Sequence, residues 1–272
     1  MAWNDCGSYS IRKRRKGFVV DSTTQLLSLI IILLALALYL VSAAVRRRRR
    51  DAFPMRAMPA YDAMPLMVGA AIEANRPVHV SLGSAGLGSG NTPLTLVSAE
   101  LFYRVGQRAA INDSPTIMTM SDPTAIPLGY DTLRRAYASR GRLGQYRASG
   151  ARWYPAGVRS LTFAAALTAT MGVEDVGANV LVGSFGPEIA LMADAAYRHN
   201  QTLIAASDQL EGQAVAYALA DQPLIGEEIF MAGAYLGTEA GQRAGAAAQD
   251  ALRWLLIIAI VGAALFTALG GR

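Results

Sequence analysis

Cysteine is nearly absent from this 272-residue chain: Cys6 is the only one. No disulfide can form within the chain, and cysteine-built zinc centres are excluded. Histidine is almost as scarce, with His79 and His199 alone. His79 falls inside a predicted strand and reads as a satisfied core residue. His199 ends a predicted helix, where a cation complements the dipole. Lysine is missing from residues 51–250. That excludes a Schiff-base mechanism there and a P-loop, whose lysine reaches the phosphates. No G-x-S-x-G elbow occurs, and neither histidine is matched to a serine nucleophile. The sequence therefore names no catalytic residue and no metal ligand, and it leaves any cofactor open.

Apolar residues are plentiful at 53%, and mean hydropathy is +0.27. The excess is concentrated in two runs. Leu26–Val45 is twenty residues without a charge, and Trp254–Gly271 is eighteen. At about 1.5 Å per residue the first spans roughly 30 Å, the thickness of a hydrocarbon core. Arg253 and Trp254 are placed as interfacial anchors for the second. Two transmembrane helices are expected, at 26–45 and 251–272, and the chain is that of a cell-membrane protein. A cleaved signal peptide is the other reading of the first run, given the basic Arg12–Lys16 and the small-residue "VSA" at 41–43. Its apolar run is longer than the usual 7–15 residues, and five arginines would follow the cleavage site directly.

Charge is divided by region. Arg12–Lys16 and Arg46–Arg50 each contribute +5, whereas residues 51–250 hold 13 Arg against 18 Asp and Glu, a net of −5. The pI near 9.5 thus describes the membrane flanks. It gives no support to nucleic acid as a partner. The basic blocks suit anionic lipid headgroups in the bilayer, or serve only to set topology. Arg46–Arg50 abut the first span directly, which favours a cytoplasmic central domain. Residues 1–25 read as a basic disordered tail. Residues 46–75 read as a basic juxtamembrane segment and linker, with a short helix over 64–74, and 76–250 as the folded domain.

Within 76–250, apolar strands at 77–83, 115–121, 151–157, 178–186 and 202–207 alternate with helices at 91–110, 127–141, 160–172, 187–200 and 211–221. The strands are continuous apolar runs, the mark of strands buried on both faces. In the first helix, Leu94, Val97, Leu101 and Val105 make one apolar face, with Thr92 as N-cap. Alternating strands and helices build βαβ units. The predicted fold is α/β: a Rossmann-like, doubly wound, mostly parallel sheet of about five strands, flanked by two transmembrane helices.

The first and fourth strands end in Gly-Ser-x-Gly, at Gly83–Gly86 and Gly183–Gly186. The second and fifth end in Ser-Asp, at Ser121–Asp122 and Ser207–Asp208. This has the form of a degenerate internal duplication, although the spacings differ, 38 residues from Gly83 to Ser121 against 24 from Gly183 to Ser207. Ligands of open parallel sheets bind beyond the carboxyl ends of the strands. Gly83, Ser84, Gly86, Gly88, Gly90, Asp122, Gly183, Ser184, Gly186 and Asp208 are therefore the candidate ligand-binding residues, with Ser89 as a further hydroxyl. Backbone N–H groups there suit an anionic small molecule. The alternative is that the glycines make tight turns and the Ser and Asp residues cap helices. The spacing Gly86-x-Gly88-x-Gly90 is neither the dinucleotide fingerprint nor a P-loop.

Glu227 and Glu228 open an apolar segment, 223–237, that reads as a helix after Pro223. They complement its dipole, or they face the crevice or a partner near the membrane. Residues 160–173 and 229–237 are apolar enough to serve as ordinary core helices or to pack on the membrane or another subunit.

The stretches "RPVHVSLGSAGLG" (76–88), "TMSDPTAIPL" (119–128), "NVLVGSFGPE" (179–188) and "PLIGEEIFMAGAYLG" (223–237) resemble an uncharacterised bacterial membrane-protein family known only as a domain of unknown function. The resemblance covers roughly residues 60–270 and implies an α/β domain with a terminal span. It carries no activity and no site residues. The expectation is a membrane-anchored binding or scaffold protein, a subunit of a homo-oligomer or larger membrane assembly. The alternative is an enzyme or sensor that takes a nucleotide or other anionic small molecule at the glycine-rich strand ends.

Overall fold

The computed structural model describes residues 22–48, 56–88, 90–111, 113–237 and 240–268. The tail before residue 22, Arg49, Arg50 and Ser89 lie outside the described residues.

Six strands form one sheet: β1 (Val78–Gly83), β2 (Ile117–Met120), β3 (Ala151–Trp153), β4 (Ala178–Ser184), β5 (Thr202–Ser207) and β6 (Gln222–Leu224). Their order is β3-β2-β1-β4-β5-β6, and every pairing is parallel. This is the doubly wound order, whose direction reverses between β1 and β4. The sheet has one strand more than the five expected. The extra strand is β6, at the start of the segment read as a helix over 223–237. Pro223 is tolerated there because β6 is an edge strand. The rest of that segment is a 3₁₀ turn, Gly226–Met231, and a short helix, α8 (Ala232–Leu236). At the other edge, β3 is shorter than predicted and ends before Pro155, which cannot donate to a ladder.

Helices cover both faces. On one lie α2 (Pro59–Glu73), α3 (Thr92–Ala109), α4 (Ile126–Ser139) and α8. Their core joins Tyr61, Met64, Val68, Leu101, Phe102 and Leu133 to Val80, Leu82 and Val180 of the sheet. On the other face lie α5 (Leu161–Val173), α6 (Ile189–Arg198) and α7 (Leu210–Leu219). There Phe163, Leu167, Met171 and Met192 pack on Leu181, Leu203 and Phe185. Residues 59–73, read partly as linker, are thus a helix whose buried side fills the first core. The N-cap of α3 is Asn91, one residue before the Thr92 expected.

The second face carries a buried polar row across the middle of the sheet. His79 of β1 has Nδ1 3.0 Å from Asn179 Oδ1 and Nε2 2.9 Å from Thr119 Oγ1. Asn179 Nδ2 donates to Gln201 Oε1 at 2.8 Å, and Gln201 Nε2 donates to the Met171 carbonyl of α5, also at 2.8 Å. Because the Asn179 amide nitrogen is engaged as a donor, its oxygen accepts from His79. The imidazole is therefore the neutral Nδ1–H tautomer, and Nε2 accepts the Thr119 hydroxyl proton. Burial lowers the His79 pKa to about 4, against an ordinary 6.5. A fully paired polar row of this kind fixes strand register and seats α5.

Two long helices bracket the domain: α1 (Ser22–Arg48) and α9 (Ala240–Ala268), which pack on one another. Within α9, Gly245–Thr267 is long and apolar enough to cross a membrane, and α1 carries a shorter apolar stretch, Ser28–Val41. Ile30, Ile32, Leu40, Ile258 and Ile260 are exposed on the isolated chain.

Candidate functional site at the carboxyl edge of the sheet

The two Gly-Ser-x-Gly turns meet at the point where strand order reverses. The Ser84 amide donates to the Ser184 carbonyl at 2.9 Å, and the Ser84 hydroxyl donates to the same oxygen at 3.0 Å. Close approach of β1 and β4 demands glycine. A Cβ on Gly83 would lie 2.3 Å from the Ser184 carbonyl, and one on Gly183 would lie 2.0 Å from the Leu82 carbonyl. Gly83 also has a φ of +60°, which an L side chain rarely adopts.

Residues flanking the turns complete the network. Ser184 Oγ accepts from Asn91 Nδ2 at 3.3 Å and from Gln209 Nε2 at 3.0 Å. Ser207 Oγ donates to the Phe185 carbonyl at 2.6 Å and accepts the Phe185 amide at 3.1 Å. That ties the end of β5 to the β4 turn.

The last glycine of each turn faces a carboxylate of the chain itself. A Cβ on Gly86 would lie 2.3 Å from Asp122 Oδ2, and one on Gly186 would lie 2.6 Å from Glu188 Oε2. Asp122 Oδ1 accepts from the Thr124 amide at 2.8 Å and the Thr124 hydroxyl at 2.6 Å. The same hydroxyl accepts the Leu87 amide at 2.8 Å, which closes the first loop. Glu188 is buried, and its Oε1 accepts the Gly186 amide at 2.9 Å. An acidic side chain thus occupies each turn where an anion would be cradled.

The remaining candidates stand apart. Gly88 and Gly90 are exposed and border open space, and Asp208 is exposed on the loop before α7. Sequence reasoning missed Asn91, Gln209 and Thr124, and read Glu188 only as a first-turn acid. Gln209 directly follows Ser207–Asp208, so adjacency was the one signal available. Among the described residues no cluster of three or more His, Cys, Asp or Glu is arranged to hold a metal ion.

A second polar centre joins the domain to α9 and to the segment before α2. Arg253 Nη1 of α9 donates to Glu227 Oε1 at 2.8 Å, and Arg56 lies 3.5 Å from Glu228. Glu228 Oε2 also accepts the Ile225 amide at 3.1 Å, so it caps the turn as well. The Tyr61 hydroxyl donates to the Glu228 carbonyl at 2.7 Å, and its ring stacks on Tyr235 at 5.3 Å. Burial, then the nearby Glu228 and Tyr235, push the Tyr61 pKa far up, so the hydroxyl stays a donor. The Tyr235 hydroxyl donates to the Arg56 carbonyl.

Fold and edge together define a class: a doubly wound α/β domain, its edge laced by its own side chains, joined to a helix able to cross a membrane. Within that class, the chain belongs to the family described as Domain of unknown function (DUF6754), which it matches over residues 14–271. That match reaches further toward the N-terminus than the stretches quoted above and takes in α1. Neither the curated proteins nor the solved structures return a match.

Proposed function

We propose that this protein is a membrane-anchored, non-catalytic binding or scaffold subunit that works within a membrane assembly containing further copies of itself. The observation that supports this reading is the filling of both glycine-rich turns by Asp122 and Glu188. A phosphate entering either turn would meet a carboxylate at close range, and like charges repel. The thermal stability of the detergent-solubilised chain tests it, against nucleotides, dinucleotides, sugar phosphates and divalent metals. A ligand at 100 times its Kd stabilises by about 2.7 kcal/mol. No shift is expected, and a shift that Gly86→Val removes would overturn the reading.

One observation favours the second reading, an enzyme or sensor for an anionic small molecule: both Gly-Ser turns sit at the β1–β4 switch point, where doubly wound sheets bind ligands. The same panel decides between the two.

The membrane placement in this proposal has two spans, α1 and α9. Helices apolar on every side need an apolar surrounding. Arg46–Arg50 then lie on the cytoplasmic side with the domain, within reach of anionic lipid headgroups. Liposome binding insensitive to salt and to Arg→Ala changes would contradict the lipid contact.

A further inference from the structure

The helix α5 has no charged residue in "LTFAAALTATMGV", and its hydrophobic residues point both inward and outward. Phe163, Ala164, Leu167 and Met171 are buried on the sheet. The opposite side presents Leu161, Ala165, Ala169 and Val173, all exposed, with Leu161 50% and Val173 84% accessible. Val158, just before the helix, is 80% accessible. An isolated surface helix is expected to be polar on its outer side. The helix is held firmly in place: Gln201 Nε2 bonds the Met171 carbonyl at 2.8 Å, and Tyr154 Oη lies 3.2 Å from Thr170 Oγ1.

The outer face has a symmetry of its own. Its residues run large, small, small, large. Placed against an antiparallel copy, Leu161 meets Val173 and Ala165 meets Ala169, and both pairs centre on position 167. The flanking charges obey the same centre: Arg159 precedes the helix and Asp175 follows it. Arg159 is exposed, and the Asp175 side chain remains 77% accessible even with Arg76 2.7 Å away. For a single helix these signs are reversed, since a cation at the N-terminus and an acid at the C-terminus oppose the dipole. Across an antiparallel pair each cation meets an acid. A self-complementary face of this kind is what a two-fold interface requires.

The membrane helix is compatible with that axis. Gly245, Ala246 and Gln249 of α9 line a cavity with Val97 and Glu100 of α3, which packs on β1 and β4. Eight residues after Gly245, Arg253 reaches Glu227, in the turn beyond edge strand β6. This stretch of α9 leads from α3 toward the β6 edge of the sheet, across the strand order, whereas α5, a crossover between parallel strands, runs against the strands. A two-fold axis along α9 sets α5 antiparallel to its copy and leaves both copies of α9 pointing the same way. Helices α8 and α9 lie on the other face of the sheet, so neither of them covers the outer side of α5.

We infer that the outer face of α5 is the contact through which this protein pairs with a second copy of itself, with Ala165 against Ala169 and Arg159 against Asp175. The inference rests on the proposed assembly and names the surface. Its test uses the full chain in detergent with Cys6 replaced by Ser. Ala165→Cys and Ala169→Cys chains are mixed and oxidised, and each is also oxidised alone. The mixed pair is expected to give a disulfide-linked dimer and each variant alone far less. In parallel, Ala169→Arg, at an exposed position, is expected to halve the particle mass while leaving the melting temperature within a few degrees of wild type. Should Ala169→Arg melt early, Ala165→Gln supplies the same reading through a neutral side chain. If the wild type is oligomeric and neither variant alters its mass or yields the mixed cross-link, the α5 contact is wrong and the assembly stands on another surface. A wild type that is monomeric overturns both.

Discussion

His79 is neutral because every partner around it fits the neutral ring: Asn179 accepts from Nδ1, and Thr119 donates to Nε2. Its pKa of about 4 in the folded chain lies below the unfolded 6.5. Between these values the unfolded state binds more protons, so stability falls as pH drops from 6.5 toward 4 and is complete above that window. At about 1.4 kcal/mol per unit, the loss is about 3 kcal/mol. Denaturation at pH 7 and pH 4.5 should show this drop in the wild type and a much smaller one in His79→Gln. A second residue-scale prediction concerns Gly86. Gly86→Ala drives a methyl into the Asp122 carboxylate and should destabilise the chain. Asp122→Ala loses the cap on Thr124, at a cost of about 1 kcal/mol. The double variant should cost less than the sum of the two, because removing the carboxylate makes room for the methyl. An additive double mutant would contradict the close contact.

At the scale of elements, the turn after β6 is the joint. Tyr61 of α2 holds its carbonyls, Glu227 holds Arg253 of α9, and Glu228 holds Arg56 from the segment before α2. Tyr61→Phe leaves the Glu228 carbonyl short of its partner and should lower stability by about 1–2 kcal/mol, read by thermal or denaturant unfolding. Glu227→Gln removes an exposed pair and should change stability by under about 1 kcal/mol. The main elements were legible because doubly buried strands read as unbroken apolar runs, and the first helix between them carried an apolar face at helical spacing. The sixth strand was not, since three residues containing Pro223 leave no strand signal apart from their neighbour β5. The switch point was legible in part. Glycines and serines announced the turns, but only the folded chain brings Ser84 to Ser184 and a carboxylate to each final glycine. Those contacts join residues about 100 positions apart, or depend on rotamers that local pattern does not encode.

For the whole molecule, the proposed topology and assembly each carry a direct test. In the proposed topology, two spans with a cytoplasmic domain, Cys6 would lie on the far side of the membrane from the domain. As the single thiol in the chain it should react with a membrane-impermeant maleimide in intact cells. Labelling only after lysis would reverse the orientation. The same picture assigns the apolar outer side of α5 and the exposed flanks of α1 and α9 to two different partners, another copy and the bilayer. Large exposed apolar surfaces mark such contacts in general. The central claim, that the protein works as an assembled membrane subunit, is tested most directly by the protein mass of the purified detergent particle from light scattering, corrected for bound detergent. Two or more copies of the 28.8 kDa chain are predicted. A particle that holds a single chain at every concentration would contradict the account.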